Sequence, residues 1–265
     1  MGSTTGTQWQ VDEQIAAIKN DYTPNMPTPP LFFTDAIDEK NVVLTGDDAR
    51  HCYRVLRLGP GDVIRVTNGL GKLASARIVL NDSNQCIAEL SEIEVVKPLS
   101  FNIHIGISPL KNVDRFEWFI EKATEIGVTS ITPLISTRTE RVSIKVERLE
   151  KIIVSAVKQS GEYWKPLLRP AENFNTFLEK FPEACRFIAY CEDKPPMHLA
   201  RACKDTGDVV LLIGPEGDFT PDEIALALEK QYKMVSLGEK RLRTETAGVV
   251  ALNIIQVVKA LEKFV

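Results

Sequence analysis

From residue 101 onward, short apolar runs alternate with stretches of helical periodicity. This alternation constrains the fold more than any other feature of the 265-residue chain, because it is the signature of strands joined by crossover helices. Phe101, Ile103, Ile105 and Ile107 share one face of a first strand. Residues 186–191 (RFIAYC) and 209–213 (VVLLI) are unbroken apolar runs, as expected of parallel strands buried on both faces. Residues 128–135 and 234–238 add two more strands. Asp114 is expected to cap a helix that ends at Gly127, with Phe116, Phe119, Ile120, Ala123 and Ile126 inward. Leu149, Ile152, Ile153, Ala156 and Val157 mark a second amphipathic helix. Thr220-Pro221-Asp222-Glu223 reads as a capping box, and residues 246–264 as a long final helix. The fold class expected is α/β with a mostly parallel sheet.

Residues 31–97 have a different texture. Short β-branched runs are separated by the turns Gly59-Pro60-Gly61-Asp62 and Asn68-Gly69. Ala49, Cys52, Tyr53 and Leu56 have helical spacing, so a small β-barrel with one inserted helix is expected. Lys97-Pro98 marks the boundary with a domain over 98–265. Residues 1–30 end in TPNMPTPP and read as an extension or linker, with one short helix near residues 12–19.

Five cysteines without CxxC spacing and three scattered histidines point away from a disulfide scaffold and from a metal site. The N-terminus lacks the basic start and apolar stretch of a secretory signal, and no apolar run approaches the roughly 20 residues of a membrane helix. The expected compartment is the cytoplasm. Net charge is −4, but Arg50, Arg54, Arg57, Arg65, Lys72 and Arg77 face Asp62 alone over residues 50–77. Such a local basic surface can bind phosphates in an acidic protein.

Two loops follow late strands. Residues 212–219 (LIGPEGDF) place Gly214 and Gly217 where a parallel sheet binds ligands, at the carboxyl end of a strand. Residues 236–247 (SLGEKRLRTETA) lead into the final helix, with Thr244 or Thr246 as its cap. No GxxxxGK[ST], GxGxxG, GxSxG or HExxH occurs. A ligand held by glycine-bearing loops without a phosphate cradle fits an adenosine compound lacking phosphates.

GPEGDF with its capped helix and LGEKRLRTETA stand in order behind HCYRVLRLGPGD, the Lys111/Arg115 stretch, EKATEIGVTSITPL, STRTERV and ERLEKIIVSAVKQSG. Together they resemble the ribosomal small subunit methyltransferase E family of the knotted SPOUT methyltransferases. The resemblance runs from about Leu31 to the C-terminus. It implies a PUA-like β-barrel that holds RNA, then a SPOUT α/β domain with a trefoil knot. The implied enzyme is a homodimer that uses S-adenosyl-L-methionine, without a metal, to methylate N3 of a uridine of 16S ribosomal RNA in the assembled 30S subunit.

By motif position, the cofactor loops would be Ala189, Tyr190, Cys191 and Glu192; Ile213, Gly214, Pro215, Glu216 and Gly217; and Leu237, Gly238, Leu242, Arg243, Thr244 and Thr246. Arg243 is the candidate stabiliser of a uridine anion and Glu245 a candidate base; a structural ion pair of Arg243 with Glu245 or Glu216 is the competing reading. His51, Arg54, Arg57, Arg65, Lys111, Arg115, Lys122 and Arg138 are candidate RNA contacts. The chain departs from the family pattern at Asp218, where glycine is usual, and at Glu162, where arginine is usual; Lys165 is a candidate substitute for that arginine.

Overall fold

A computed structural model describes residues 28–34, 37, 40–140, 143–190 and 197–262. The helix expected near residues 12–19, and Cys191 and Glu192, lie outside these residues. Residues 31–265 form one compact unit.

Its first part is a five-stranded sheet made of β1 (Leu31–Phe33), β2 (Asn41–Thr45), β3 (Val63–Thr67), β4 (Lys72–Asn81) and β5 (Gln85–Val95), in the order β1-β3-β4-β5-β2. Only β1 and β3 pair in parallel. Alternate residues Val42 and Leu44, and Ile64 and Val66, turn inward and meet Phe32, Ile78 and Cys86 in a core of their own. The inserted helix is α1 (Gly46–Arg50) followed by a π turn over His51–Val55. Ala49 and Cys52 are buried as their spacing implies, but Tyr53 is exposed. The cause is the wider turn, in which Leu56 N–H reaches back five residues to the His51 carbonyl (3.0 Å), so the 3.6-residue period no longer holds.

The second sheet is parallel throughout. It holds β6 (Ile103–Ile107), β7 (Ser130–Ile135), β8 (Leu167–Leu168), β10 (Cys185–Ala189), β11 (Val209–Ile213) and β12 (Lys233–Val235) in the order β12-β10-β11-β6-β7-β8, with β9 (Glu172–Asn173) beside β7. Strand β11 therefore lies between β10 and β6. Its residues show why the run VVLLI is unbroken: Val209, Leu211 and Ile213 enter one core, Val210 and Leu212 another. Helices α2 (Val113–Ile126), α3 (Val146–Ser160), α4 (Phe174–Phe177), α5 (Leu199–Ala202), α6 (Pro221–Glu229) and α7 (Thr244–Glu262) connect and cover the strands.

The expected capping box on α6 is present: Thr220 Oγ1 accepts from Glu223 N–H, and the Glu223 carboxylate accepts from Thr220 N–H (2.8 Å). Helix α2 is capped by Asn112 rather than Asp114; Asn112 Oδ1 accepts from the Asp114 and Arg115 amides, which places Asp114 inside the first turn. By length and apolar composition α7 matches a membrane-crossing helix. It nevertheless carries Glu245, Asn253, Gln256 and Lys259, and sets Ala251, Leu252 and Ile255 into the sheet's core against α2. Val257 and Leu261 stay exposed at 48% and 61%.

A seam joins the two sheets. Leu70 and Trp164 form an antiparallel bridge, Gly71 N–H donates to the Tyr163 carbonyl (2.9 Å), and Lys165 N–H donates to that of Gly69 (2.8 Å). Arg65 donates to Tyr163 Oη (2.9 Å), and Lys158 pairs with Asp48 at 2.8 Å. The backbones pass so closely that a β-carbon at Gly71 would lie 2.7 Å from Trp164 Cε2 and 2.8 Å from the Val96 carbonyl oxygen.

Candidate functional site

The carboxyl ends of β10, β11 and β12 and the start of α7 surround one cavity of about 900 Å³. The end of β10 contributes Ala189, with Tyr190 just beyond it; β11 ends in Ile213, and the loop after it contributes Gly214, Pro215 and Glu216. Leu237 and Gly238 follow β12, and Leu242, Arg243 and Thr244 complete the wall. Both loops singled out in the sequence therefore meet at one place, although sixteen residues separate them.

Among the described residues, two other expected cofactor residues, Gly217 and Thr246, stand elsewhere. Gly217 is absent from the wall because its loop turns outward, and its carbonyl accepts from Arg138 Nη1 (2.5 Å). Thr246 faces a neighbouring depression one turn into α7. Sequence reasoning missed His198, which lines the cavity beside Ser236 and is joined to it by a parallel bridge. No local pattern marks His198; it meets the second loop only because α5 packs beside the end of β12.

Local chemistry explains the loop shapes. Asp218 N–H donates to the Pro215 carbonyl (2.9 Å), closing a turn over Pro215-Glu216-Gly217-Asp218. Asp218 has φ +62°, and its Oδ1 accepts from Phe219 N–H (2.8 Å). The departure from glycine is thus an aspartate in a left-handed conformation that aspartate tolerates better than most residues. Gly238 has φ +136° and open space at its Cβ position, so the second loop can follow the cavity where a side chain would be strained. The Thr244 hydroxyl does not cap α7; it donates to the Gly214 carbonyl (3.0 Å) and fastens one loop to the other.

The two residues expected to carry catalysis are separated. Arg243 is exposed and lines the cavity, and among the described residues its guanidinium makes no ion pair. The competing reading, an ion pair of Arg243 with Glu245 or Glu216, is not seen: Glu245 faces Arg115, with Oε1 3.8 Å from Arg115 Nε. Glu245 is only 6% exposed, and its Oε2 has no hydrogen-bond partner. It lines the neighbouring depression of about 330 Å³ with Asp114, Arg115, Trp118 and Thr246. Arg115 is the residue common to both spaces, a position that sequence reasoning assigned only to RNA contact.

The other expected RNA contacts scatter. His51, Arg54 and Arg57 are exposed around the π turn. Arg65 is held by Tyr163, Lys111 pairs with Glu140 at 3.1 Å, and Arg138 is tied to the Gly217 carbonyl. Lys122 is engaged by Glu121 (2.8 Å) and Glu125 (2.9 Å), which raise its pKa and satisfy its charge, so it is a poor phosphate ligand. Lys165 bonds to Glu150 (2.6 Å) and is not free to replace the arginine usual at position 162. At that position burial pushes the Glu162 carboxyl above its ordinary value. Among the described residues no group of three or more His, Cys, Asp or Glu is arranged to hold a metal ion.

Comparison with known proteins places this geometry. An RNA methyltransferase domain family matches residues 97–256, and an RNA methyltransferase PUA domain matches residues 44–91. A ribosomal RNA small subunit methyltransferase E from Synechocystis sp. is 34% identical over 82% of this chain and 73% of its own length. Among solved structures, a probable rRNA-methyltransferase from Porphyromonas gingivalis is 38% identical with a TM-score of 0.81, over 88% of this chain and 99% of that one. A ribosomal RNA small subunit methyltransferase E from Neisseria gonorrhoeae, bound to S-adenosyl methionine, is 30% identical with a TM-score of 0.76, over 87% and 98%. With its PUA domain, its parallel sheet and the loops gathered at one edge of that sheet, the chain belongs to the ribosomal RNA small subunit methyltransferase E family of RNA methyltransferases.

Proposed function

We propose that the protein transfers the methyl group of S-adenosylmethionine to N3 of a uridine in 16S ribosomal RNA of the small subunit. The observation that carries this is the convergence of both glycine-bearing loops on one cavity at the carboxyl edge of a parallel sheet.

The cavity fits the cofactor. Ala189, Ile213, Pro215, Leu237, Leu242 and Ala247 give it apolar walls for an adenine ring, and Gly238 leaves room for close approach. Lys240 and Arg241 supply cationic groups for the carboxylate of the methionine tail. When bound, the cofactor supplies an activated methyl group on a sulfonium, so no metal is needed. In this reading Arg243, from the cofactor cavity, stabilises the uracil anion as the imide proton leaves. Glu245, in the adjoining depression with an oxygen that lacks a donor, takes that proton.

The first domain, over residues 31–97, holds RNA through the exposed Arg54 and Arg57; residues 98–265 carry the reaction. The trefoil-knotted path implied by the resemblance is part of this reading, and so is action in the cytoplasm. A homodimer is supported by α7, which leaves Val257 and Leu261 exposed on a helix otherwise apolar over a wide arc.

The test combines three measurements. Calorimetry with S-adenosylhomocysteine is expected to show binding. Radiolabelled cofactor is expected to label 30S subunits and not transfer RNA. Mass spectrometry of digested 16S RNA is expected to place the methyl on N3 of one uridine. A folded protein that gives no heat with S-adenosylhomocysteine ends the proposal.

A further inference from the structure

We propose that the depression beside the cofactor cavity is the seat of the target uracil, with Trp118 as its stacking surface. This rests on the methyltransferase reading above and adds to it the residues that choose the base.

Three observations converge. First, the depression abuts the cofactor cavity, because Arg115 lines both. A group seated there lies next to the methyl donor, as in-line transfer demands. Second, Glu245 is buried there with a carboxylate oxygen that no donor meets. A buried acceptor without a partner is costly, and a ligand that brings an N–H relieves the cost. Third, Trp118 lines the same depression and is 42% exposed. The neighbouring helix positions Phe116, Phe119 and Ile120 are buried in the core, so α2 holds the indole at the surface on a rigid support. An indole face of this kind is a stacking platform for an unpaired base.

The polar groups match in kind those a uracil edge needs. Its Watson–Crick edge presents an acceptor at O4, a donor at N3 and an acceptor at O2. Arg115 and the Thr246 hydroxyl are donors, and Glu245 is the acceptor. Cytosine carries an acceptor at N3 and would set it against the Glu245 carboxylate. The lining thus reads the base by hydrogen bonds, while Trp118 holds the ring whatever its identity.

The experiment measures steady-state methylation of unmethylated 30S subunits by wild type, Trp118→Ala and Trp118→Phe. Affinity for S-adenosylhomocysteine and molar mass by light scattering are measured alongside. Trp118→Ala is expected to lower kcat/KM for the subunit by about ten- to a hundredfold, with S-adenosylhomocysteine affinity within about twofold of wild type. Trp118→Phe is expected to recover most of the loss. If wild type binds cofactor and Trp118→Ala methylates as well as wild type, the uracil seat is overturned and the methyltransferase reading stands. If Trp118→Ala changes the molar mass, the indole belongs to a contact between copies, and the seat is again overturned. If wild type binds no S-adenosylhomocysteine, the methyltransferase reading falls and the uracil seat with it.

Discussion

Thr244, the first residue of the last helix, donates its hydroxyl hydrogen to the carbonyl of Gly214, thirty positions earlier, at 3.0 Å. Both residues are buried, so the bond is shielded from water, and it holds two walls of the cavity in register. Thr244→Val keeps the shape and removes the donor. Leaving the Gly214 carbonyl without it is expected to cost about 1–3 kcal/mol in urea denaturation. Affinity for S-adenosylhomocysteine is expected to fall several-fold by calorimetry, and Thr244→Ser to retain both. A Thr244→Val protein with unchanged affinity removes this fastening from the account.

Asp218 occupies a left-handed conformation at φ +62°. Asp218→Gly and Asp218→Asn are expected to stay near wild-type stability. Asp218→Val, which crowds that conformation, is expected to lose about 1–2 kcal/mol. Chemical denaturation of the three variants checks the order.

Gly71 sits where the two sheets touch, too close to Trp164 and to the Val96 carbonyl for a side chain. Gly71→Ala forces the seam apart and is expected to destabilise the protein by about 1–3 kcal/mol, read as a lower melting temperature. An unchanged melting temperature would mean that the seam bears no load.

His104 is stacked on Phe181 at 4.0 Å between ring centres, with Nδ1 2.8 Å from Ser130 Oγ. Burial pushes its pKa below the ordinary 6.5, Arg169 adds to this, and Asp208 opposes it. Beneath pH 6.5 the unfolded chain therefore takes up a proton that the native imidazole resists, and stability falls as pH falls. Melting temperatures between pH 7.5 and 5.5 are expected to drop in wild type and to drop less in His104→Phe. Equal slopes in the two proteins would assign the pH dependence elsewhere.

Arg54 and Arg57 are exposed, whereas Lys122 is neutralised by two glutamates. Arg54→Ala and Arg57→Ala are each expected to weaken 30S binding and to flatten its log–log salt dependence by about one unit. Lys122→Gln is expected to do neither. Binding measured over a salt series distinguishes them.

The parallel sheet was legible because β11 is apolar at every position, and α6 because Thr220, Pro221 and Glu223 spell its cap. The cofactor loops were legible as neighbours because strand ends carry them. β8, β9, α4 and α5, of two to four residues each, are too short to show a period, and His198 entered the cavity unseen with one of them. Tyr53 was misplaced because a π turn breaks the helical count. Lys122 could have been discounted from sequence, since Glu121 stands beside it and Glu125 three residues on, within reach of its ammonium on a helix. Arg115 could not, because its ties to Glu245 and to both spaces arise only when α2 meets α7.

The bridge between Leu70 and Trp164, with its flanking backbone bonds, denies the two sheets a hinge. The span from the exposed arginines of the π turn to the cavity is then a fixed length, like the opening of a caliper. On the proposed function, an RNA held at one jaw would present to the other only a nucleotide at the matching separation in its folded form. Selection of a single uridine in a ribosomal subunit would then be a measurement of distance on a rigid target, and free RNA of the same sequence, which holds no constant separation, would be a poor fit.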